Sequence, residues 1–238
     1  MELPSVKIPA LYKSPRKLLI YSSPKIGKTT LAAMLENNLI LDFENGSDFI
    51  DALKVKIPDL IVLGDCLTSI AKANSPYRYG TLDTITRLEE MVLPLALDMY
   101  KKTPMGRNFD GDNVLTLANG GGYLYLREAF IKVSNSIDKL FERTIYFGHL
   151  KDKVLEKDGK EVSAKDIDLT GKLRNIACAN ADAIGYLYRE GTKTILSFKT
   201  TQDIICGARP DHLRNQEICV LEEVDGKLIS HWDKIYID

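Results

Sequence analysis

The chain has 238 residues, a formal net charge of −1 and 45% hydrophobic residues. That suffices for one large α/β domain or two small ones, and it excludes a global positive field directed at nucleic acid or an acidic membrane. No apolar run approaches the ~20 residues needed to span a bilayer. The N-terminus lacks a secretion signal's basic-then-apolar pattern, and Cys66, Cys178, Cys206 and Cys219 lack C-x-x-C spacing, so they read as reduced cytosolic thiols rather than a disulfide frame or zinc site.

Residues 1–16 are punctuated by prolines and read as an irregular lead. Leu18 to Tyr21 is an apolar run with the character of a buried strand, and Thr29 to Leu35 reads as a helix. Between them lies Ser22-Ser23-Pro24-Lys25-Ile26-Gly27-Lys28-Thr29-Thr30, which meets the phosphate-loop pattern G-x-x-x-x-G-K-[ST] with Ser22 in place of the first glycine. A positive φ at that serine would carry a cost. Leu39 to Glu44 predicts a second strand ending in acids, followed by the turn Asn45-Gly46. Ser47 to Lys54 reads as a short helix, Asp59 to Leu63 as a third strand and Leu67 to Ala73 as a helix. Tyr77 to Leu82 forms a strand that Arg78 and Gly80 weaken, ending at Asp83. Thr86 to Lys101 is a helix that Pro94 kinks or breaks.

Residues 103–122 read as a long glycine-containing loop and Tyr123 to Arg143 as a helix. Thr144 to His149 is an apolar strand. Lys151 to Asp168 is charged and reads as a mobile loop. Leu169 to Ala181 is helical. Asp182 to Arg189 with Thr194 to Lys199, and Glu217 to Glu223 with Lys227 to Ile237, form two hairpins. Strands alternating with helices, then hairpins, predict a mostly parallel α/β sheet extended by antiparallel edge strands, in one domain over 1–238 with 211–238 as a C-terminal hairpin extension.

Ligands of such sheets sit at the carboxyl ends of the strands. In the phosphate-loop reading, backbone N–H groups wrap phosphate oxygens, Lys28 reaches the β- and γ-phosphates of ATP, and the Thr29 hydroxyl binds Mg²⁺. Hydrolysis also needs a metal-holding acid, an oriented water and a sensor. Asp83 is the candidate acid, against a reading as a helix N-cap. Glu44 and Asp42 compete for the general base, against a reading in which both cap the turn behind them; Glu44 is nearer the strand end and has the longer reach. His149 is either a satisfied histidine at a strand end or a γ-phosphate sensor that orders the loop behind it. Arg209 is either a solvated surface arginine or a finger supplied to a neighbouring subunit. Lys151, Lys153, Lys157, Lys160 and Lys165 are either contacts for a nucleic-acid backbone or, since they alternate with acids, the face of a solvated loop, which is the better reading of the residues alone.

Taken together, the phosphate loop, Leu41-Asp42-Phe43-Glu44, Leu82-Asp83-Thr84, Phe147-Gly148-His149 and Leu169-Thr170-Gly171-Lys172-Leu173 with Ala181-Asp182 resemble, in the same order, the bacteriophage RecA-like ATPases of single-strand annealing and recombination. The resemblance spans about residues 15–210. It implies a RecA-like fold, ATP and Mg²⁺ as cofactors, single-stranded DNA as partner, and homo-oligomers with ATP between subunits. A single-stranded-DNA-binding protein is a further expected partner, and the location is the cytoplasm of a bacterial host. The resemblance places Lys28 and Thr29 as the Walker A pair, Asp83 as the Walker B acid, Glu44 as the catalytic glutamate and His149 as the sensor. It makes 103–122 and 150–168 the two DNA-binding loops and sets Arg209 near the residues that reach a neighbour's phosphates. The family pairs two basic residues at that position, whereas Gly207 accompanies Arg209 here; together with Ser22 this fits slow turnover. The competing readings are a nucleotide-gated assembly protein that does not bind DNA and, less well supported for want of an arginine-rich lid, a small-molecule kinase.

Overall fold

The computed structural model describes residues 3–157, 160–201 and 203–238. In chain order the elements are β1 (Lys17–Ser22), α1 (Lys28–Ala33), β2 (Asn38–Asp42), β3 (Lys54–Lys56), α2 (Leu60–Lys72), β4 (Tyr79–Asp83), α3 (Ile85–Met91), α4 (Leu93–Lys101), α5 (Gly122–Asp138), β5 (Arg143–Lys157), β6 (Lys160–Ile167), α6 (Gly171–Asn180), β7 (Ala183–Glu190), β8 (Lys193–Ser197), β9 (Gly207–Ala208), β10 (Glu217–Val224) and β11 (Lys227–Ser230).

The strands run β11-β10-β8-β7-β1-β5-β4-β2-β3 across the sheet, with β6 on β5 and β9 on β7. From β7 through β1, β5, β4 and β2 to β3 every neighbouring pair is parallel. The pairs from β7 through β8 and β10 to β11 are antiparallel. This is the α/β architecture expected from the sequence. Its parallel centre is buried on both faces, because successive side chains on a strand point to opposite sides. Leu19 and Tyr21 of β1 and Tyr146 of β5 join one core, with Leu63 of α2, Leu88 of α3, Leu126 of α5 and Leu173 of α6. Leu18 and Ile20, with Ile145 and Phe147, join the other, with Leu31 of α1 and the C-terminal Trp232, Ile235 and Tyr236.

Several local expectations are corrected. The run Asp59 to Leu63 is not a strand. Asp59 caps α2, its carboxylate accepting from the Ile61 and Val62 N–H groups at 2.8 and 2.9 Å. Four apolar residues, Leu60 to Leu63, cannot distinguish strand from helix by themselves. The stretch 47–54 forms turns instead of a helix and leads into β3, with the Lys54 ammonium donating to the carbonyls of Ser47 and Ile50. The helix over 86–101 is two, and Pro94 lies in the first turn of α4, where its missing N–H leaves no intrahelical bond unmade. The strand expected over 227–237 stops at Ser230, and a short 3-10 turn follows at Trp232–Lys234. The segment 103–122 is broken by 3-10 turns at Val114–Thr116 and Ala118–Gly120, with Val114 fully buried.

The largest correction is at 150–168. There β5 runs on and β6 returns antiparallel to it, with Leu150 opposite Ile167 and Lys157 opposite Lys160. The alternating charges that read as a solvated loop have the period of a strand. The side chains of Lys153, Lys157 and Lys160 lie outside the described residues.

Candidate nucleotide site

The site sits at the carboxyl ends of β1, β5, β4 and β2. After β1 the chain turns through Lys25 (φ 62°) and Gly27 (φ 104°) into α1. Gly27 is the residue that needs to be glycine, since L side chains rarely adopt that backbone region. Ser22 is not among the residues with positive φ, so it replaces glycine without the expected cost. Its hydroxyl has a task instead. It accepts a hydrogen bond from Lys28 Nζ at 3.0 Å and donates to the Ser23 carbonyl at 2.9 Å. Lys28 is buried, and burial lowers its ammonium pKa against the opposing pull of Asp83 and Glu44.

The Thr29 hydroxyl donates to Asp83 Oδ2 at 2.5 Å, joining the start of α1 to the end of β4. Asp83 is 5% exposed, and burial raises its pKa even though the Thr29 hydrogen bond works the other way. A buried carboxylate facing a hydroxyl is a set of hard oxygen donors, which suits Mg²⁺. The Asp83–Thr84 peptide bond is cis. The helix cap is not Asp83 but Thr84, whose hydroxyl accepts from the Arg87 N–H at 3.3 Å.

Asp42 and Glu44 part company at the end of β2. The Asp42 carboxylate is buried and accepts from the N–H groups of Glu44, Gly46 and Ser47 and from the Ser47 hydroxyl, at 2.6–3.2 Å. It caps the turn. Glu44 faces the phosphate loop: its Oε1 accepts from the Thr84 hydroxyl at 2.5 Å and lies 2.7 Å from His149 Nε2. Burial would raise the Glu44 pKa, but the hydrogen bonds from His149 and Thr84 outweigh it, and the carboxyl is held below its usual range.

His149 lies opposite Ser22 in the β1–β5 register. Its N–H donates to the Thr86 hydroxyl at 3.1 Å, and that hydroxyl donates to the Asp168 carbonyl at 3.2 Å. The Asp168 N–H returns to the His149 carbonyl at 2.9 Å. His149 is thus hydrogen-bonded to Glu44 by its side chain and, by its backbone, to Asp168 at the returning end of the 150–168 hairpin that it begins. Its Nδ1 is buried without a partner among the described residues. Two residues on, the Thr170 N–H donates to the buried carboxylate of Glu89 at 3.1 Å, where burial raises the Glu89 pKa. A cleft of about 480 Å³ opens there, between Asn119, Gly120 and Tyr123 on one side and Gly171 and Lys172 on the other, with Arg127 in its wall. In an adjoining cleft Leu115 of 103–122 and Asp168 of 150–168 line the same wall with Thr170, so both long segments border one surface.

Arg209 is not brought to this site. It sits at the opposite end of the sheet, beside a cleft of about 820 Å³, with its guanidinium on Asp182 at 3.0 Å and on the Ala179 carbonyl at 2.8 Å. The arginine at the phosphate loop is Arg189, at the carboxyl end of β7, donating to the Ile26 carbonyl at 3.3 Å. The sequence reading passed over it. A signal was present, because β7 neighbours β1 in the sheet and Arg189 lies near its carboxyl end.

Residues 14–209 match the model of one family, described as an AAA domain. Among solved structures, the crystal structure of the RadB recombinase is similar over 90% of this chain and 90% of that chain, at 13% sequence identity and a TM-score of 0.49. No curated protein matches. The family match spans most of the chain, and the chain belongs to that family.

Proposed function

We propose that this member of the AAA domain family binds and hydrolyses ATP and that its nucleotide state controls its grip on single-stranded DNA, in phage recombination by single-strand annealing. The observation that carries the reading is the Glu44 carboxylate, held between Thr84 and His149 beside the phosphate loop. It links a group able to take a proton from water to the residue from which the β5–β6 hairpin departs.

In this reading residues 22–30 cradle the phosphates, and Lys28 leaves Ser22 for the β- and γ-phosphates. Thr29 and Asp83 hold Mg²⁺, which when bound neutralises charge developing on the phosphates. Glu44 orients the attacking water and accepts its proton; its lowered pKa keeps it ionised for that task. His149 reports the γ-phosphate to the 150–168 hairpin. Arg209, remote from its own phosphate loop, serves a neighbouring copy in a head-to-tail oligomer. DNA lies along the surface shared by 103–122 and 150–168, with Arg127 and Lys172 among its phosphate contacts.

The test is the ATPase rate of the full chain with and without single-stranded DNA, together with DNA binding in the presence of an ATP analogue or ADP. The expected result is a faster rate with DNA and tighter DNA binding with the ATP analogue. Absence of DNA binding at low salt in both nucleotide states, with ATP still driving oligomers, overturns the DNA part and leaves an assembly protein.

A further inference from the structure

The edge hairpin β10–β11 carries a group of side chains that the nucleotide site does not use. Cys219 and Glu222 are three residues apart on β10. On a regular strand that odd spacing sends them to opposite faces. Here the register against β8 shifts: Cys219 lies opposite Ile195, but Leu221 lies opposite Thr194, so Val220 is an extra residue. One extra residue restores the parity and turns Cys219 and Glu222 to the same face. The bulge also fixes the third member. The Val220 carbonyl accepts from the His231 N–H at 2.9 Å, directly after β11, and the imidazole Nε2 lies 2.9 Å from Glu222 Oε1. The Cys219 sulfur, a Glu222 carboxylate oxygen and a His231 ring nitrogen all lie within 4.8 Å of one another, and all three residues are half-buried.

We propose that Cys219, Glu222 and His231 bind a zinc ion. One thiolate, one imidazole and one carboxylate match zinc's preference, whereas Mg²⁺ takes oxygen ligands alone. Tetrahedral zinc spaces its ligand atoms roughly 3.5 Å apart, so closing this set asks about an ångström of side-chain movement. On binding, the Cys219 thiol gives its proton to solvent and a zinc–sulfur bond replaces its long contact of 3.6 Å with the Leu221 carbonyl. The thiolate and carboxylate charges balance the ion. Lys193, whose ammonium lies 3.8 Å from the other Glu222 oxygen, stays on the outer side of that carboxylate. Water completes the fourth position. The absence of C-x-x-C spacing does not argue against this site, because the bulge does the work that close sequence spacing does elsewhere.

The ion pins the end of β11 to the bulge of β10, and this hairpin braces α1. The Trp232 indole donates to the Leu31 carbonyl at 2.8 Å and the Ser230 hydroxyl to the Met34 carbonyl at 3.5 Å. Zinc therefore stabilises the support of the helix behind the phosphate loop. The proposal is independent of whether the chain binds DNA.

The experiment titrates the full chain, stripped with chelator and kept reduced, with Co²⁺ as the probe and Zn²⁺ as the competitor, in excess Mg²⁺. The expected result is one Co²⁺ per chain with a thiolate-to-cobalt charge-transfer band that Zn²⁺ displaces. Cys219→Ser removes the band, His231→Ala and Glu222→Gln weaken cobalt binding about tenfold or more, and Cys66→Ser leaves it unchanged. Cobalt at Thr29 and Asp83 gives no such band, since no sulfur is offered there. Failure of the wild-type chain to show the band overturns the proposal without recourse to any variant, as does a band that survives Cys219→Ser.

Discussion

Glu44 and Asp42 show how much chemistry two neighbouring carboxylates can divide. Asp42 spends every acceptor on its own turn, while Glu44 is shared by Thr84 and His149. Glu44→Gln keeps shape and loses the base, so ATP affinity should persist while turnover falls roughly 10²–10⁴-fold; a near-normal kcat would leave hydrolysis without a protein base. His149→Ala should leave ATP affinity within a few-fold but remove the nucleotide preference in DNA binding, by ~1–3 kcal/mol if the coupling is of ordinary size. The measurement is DNA affinity with ATP analogue and with ADP, for wild type and variant, and equal preference in both proteins would strip His149 of the sensor role. Asp83 gives a prediction of opposite sign for stability. Its folded pKa is raised by burial. The unfolded chain therefore ionises first as pH rises, and the fold loses stability from the unfolded pKa up through the folded one. At neutral pH the ionised Asp83 is a net cost to the metal-free fold. Asp83→Asn should raise the Tm at pH 7 without metal, with the difference vanishing at acid pH, and abolish the Mg²⁺ dependence of nucleotide binding; an unchanged or lower Tm at pH 7 would contradict the burial argument.

At the scale of elements, β4 is the instructive case. Arg78 and Gly80 made it a poor strand on paper, yet every residue from Tyr79 to Asp83 is buried. Gly80 is there for space, since a Cβ would meet the Phe141 ring at 2.4 Å. Gly80→Ala should cost about 1–3 kcal/mol as an overpacked core position, measured by urea unfolding, and a neutral result would mean that Phe141 yields freely. What the sequence made legible was what local chemistry controls: the phosphate loop, the β1 run, the acids after β2 and the final hairpins. What it hid depended on partners far along the chain. Asp59 caps a four-residue apolar run, Leu60 to Leu63, that is equally apt for a strand. The charged stretch 150–168 pairs with itself as β5 and β6, a strand period that its alternating charges disguised as a solvated loop. The split between Asp42 and Glu44 is decided by which one the turn consumes, and spacing is silent on that.

For the whole molecule, near-neutral charge limits the phosphate contacts that the proposed DNA binding can use. The described cations near the shared surface are Arg127, Lys151, Lys172 and Arg174. Two of them are already engaged, Lys151 with Asp168 at 3.0 Å and Arg174 with Asp166. Four phosphate contacts from these described cations at ~0.7 counterions each give a slope of about −3 for log K against log salt on single strands. A binding series from low to moderate salt checks this. A much steeper slope would require a basic surface assembled from several copies, which would itself speak for the oligomer.

The chain holds one tryptophan, Trp232. Its indole N–H is bonded to the Leu31 carbonyl of α1, and its ring stacks on Tyr236 with centroids 5.8 Å apart. The sole strong ultraviolet fluorophore is therefore attached to the helix that the phosphate loop feeds. Nucleotide binding at the proposed site, and zinc at the proposed hairpin site, should each change the emission of this tryptophan. The unlabelled protein carries its own optical gauge, and stopped-flow emission can place these events in order of time.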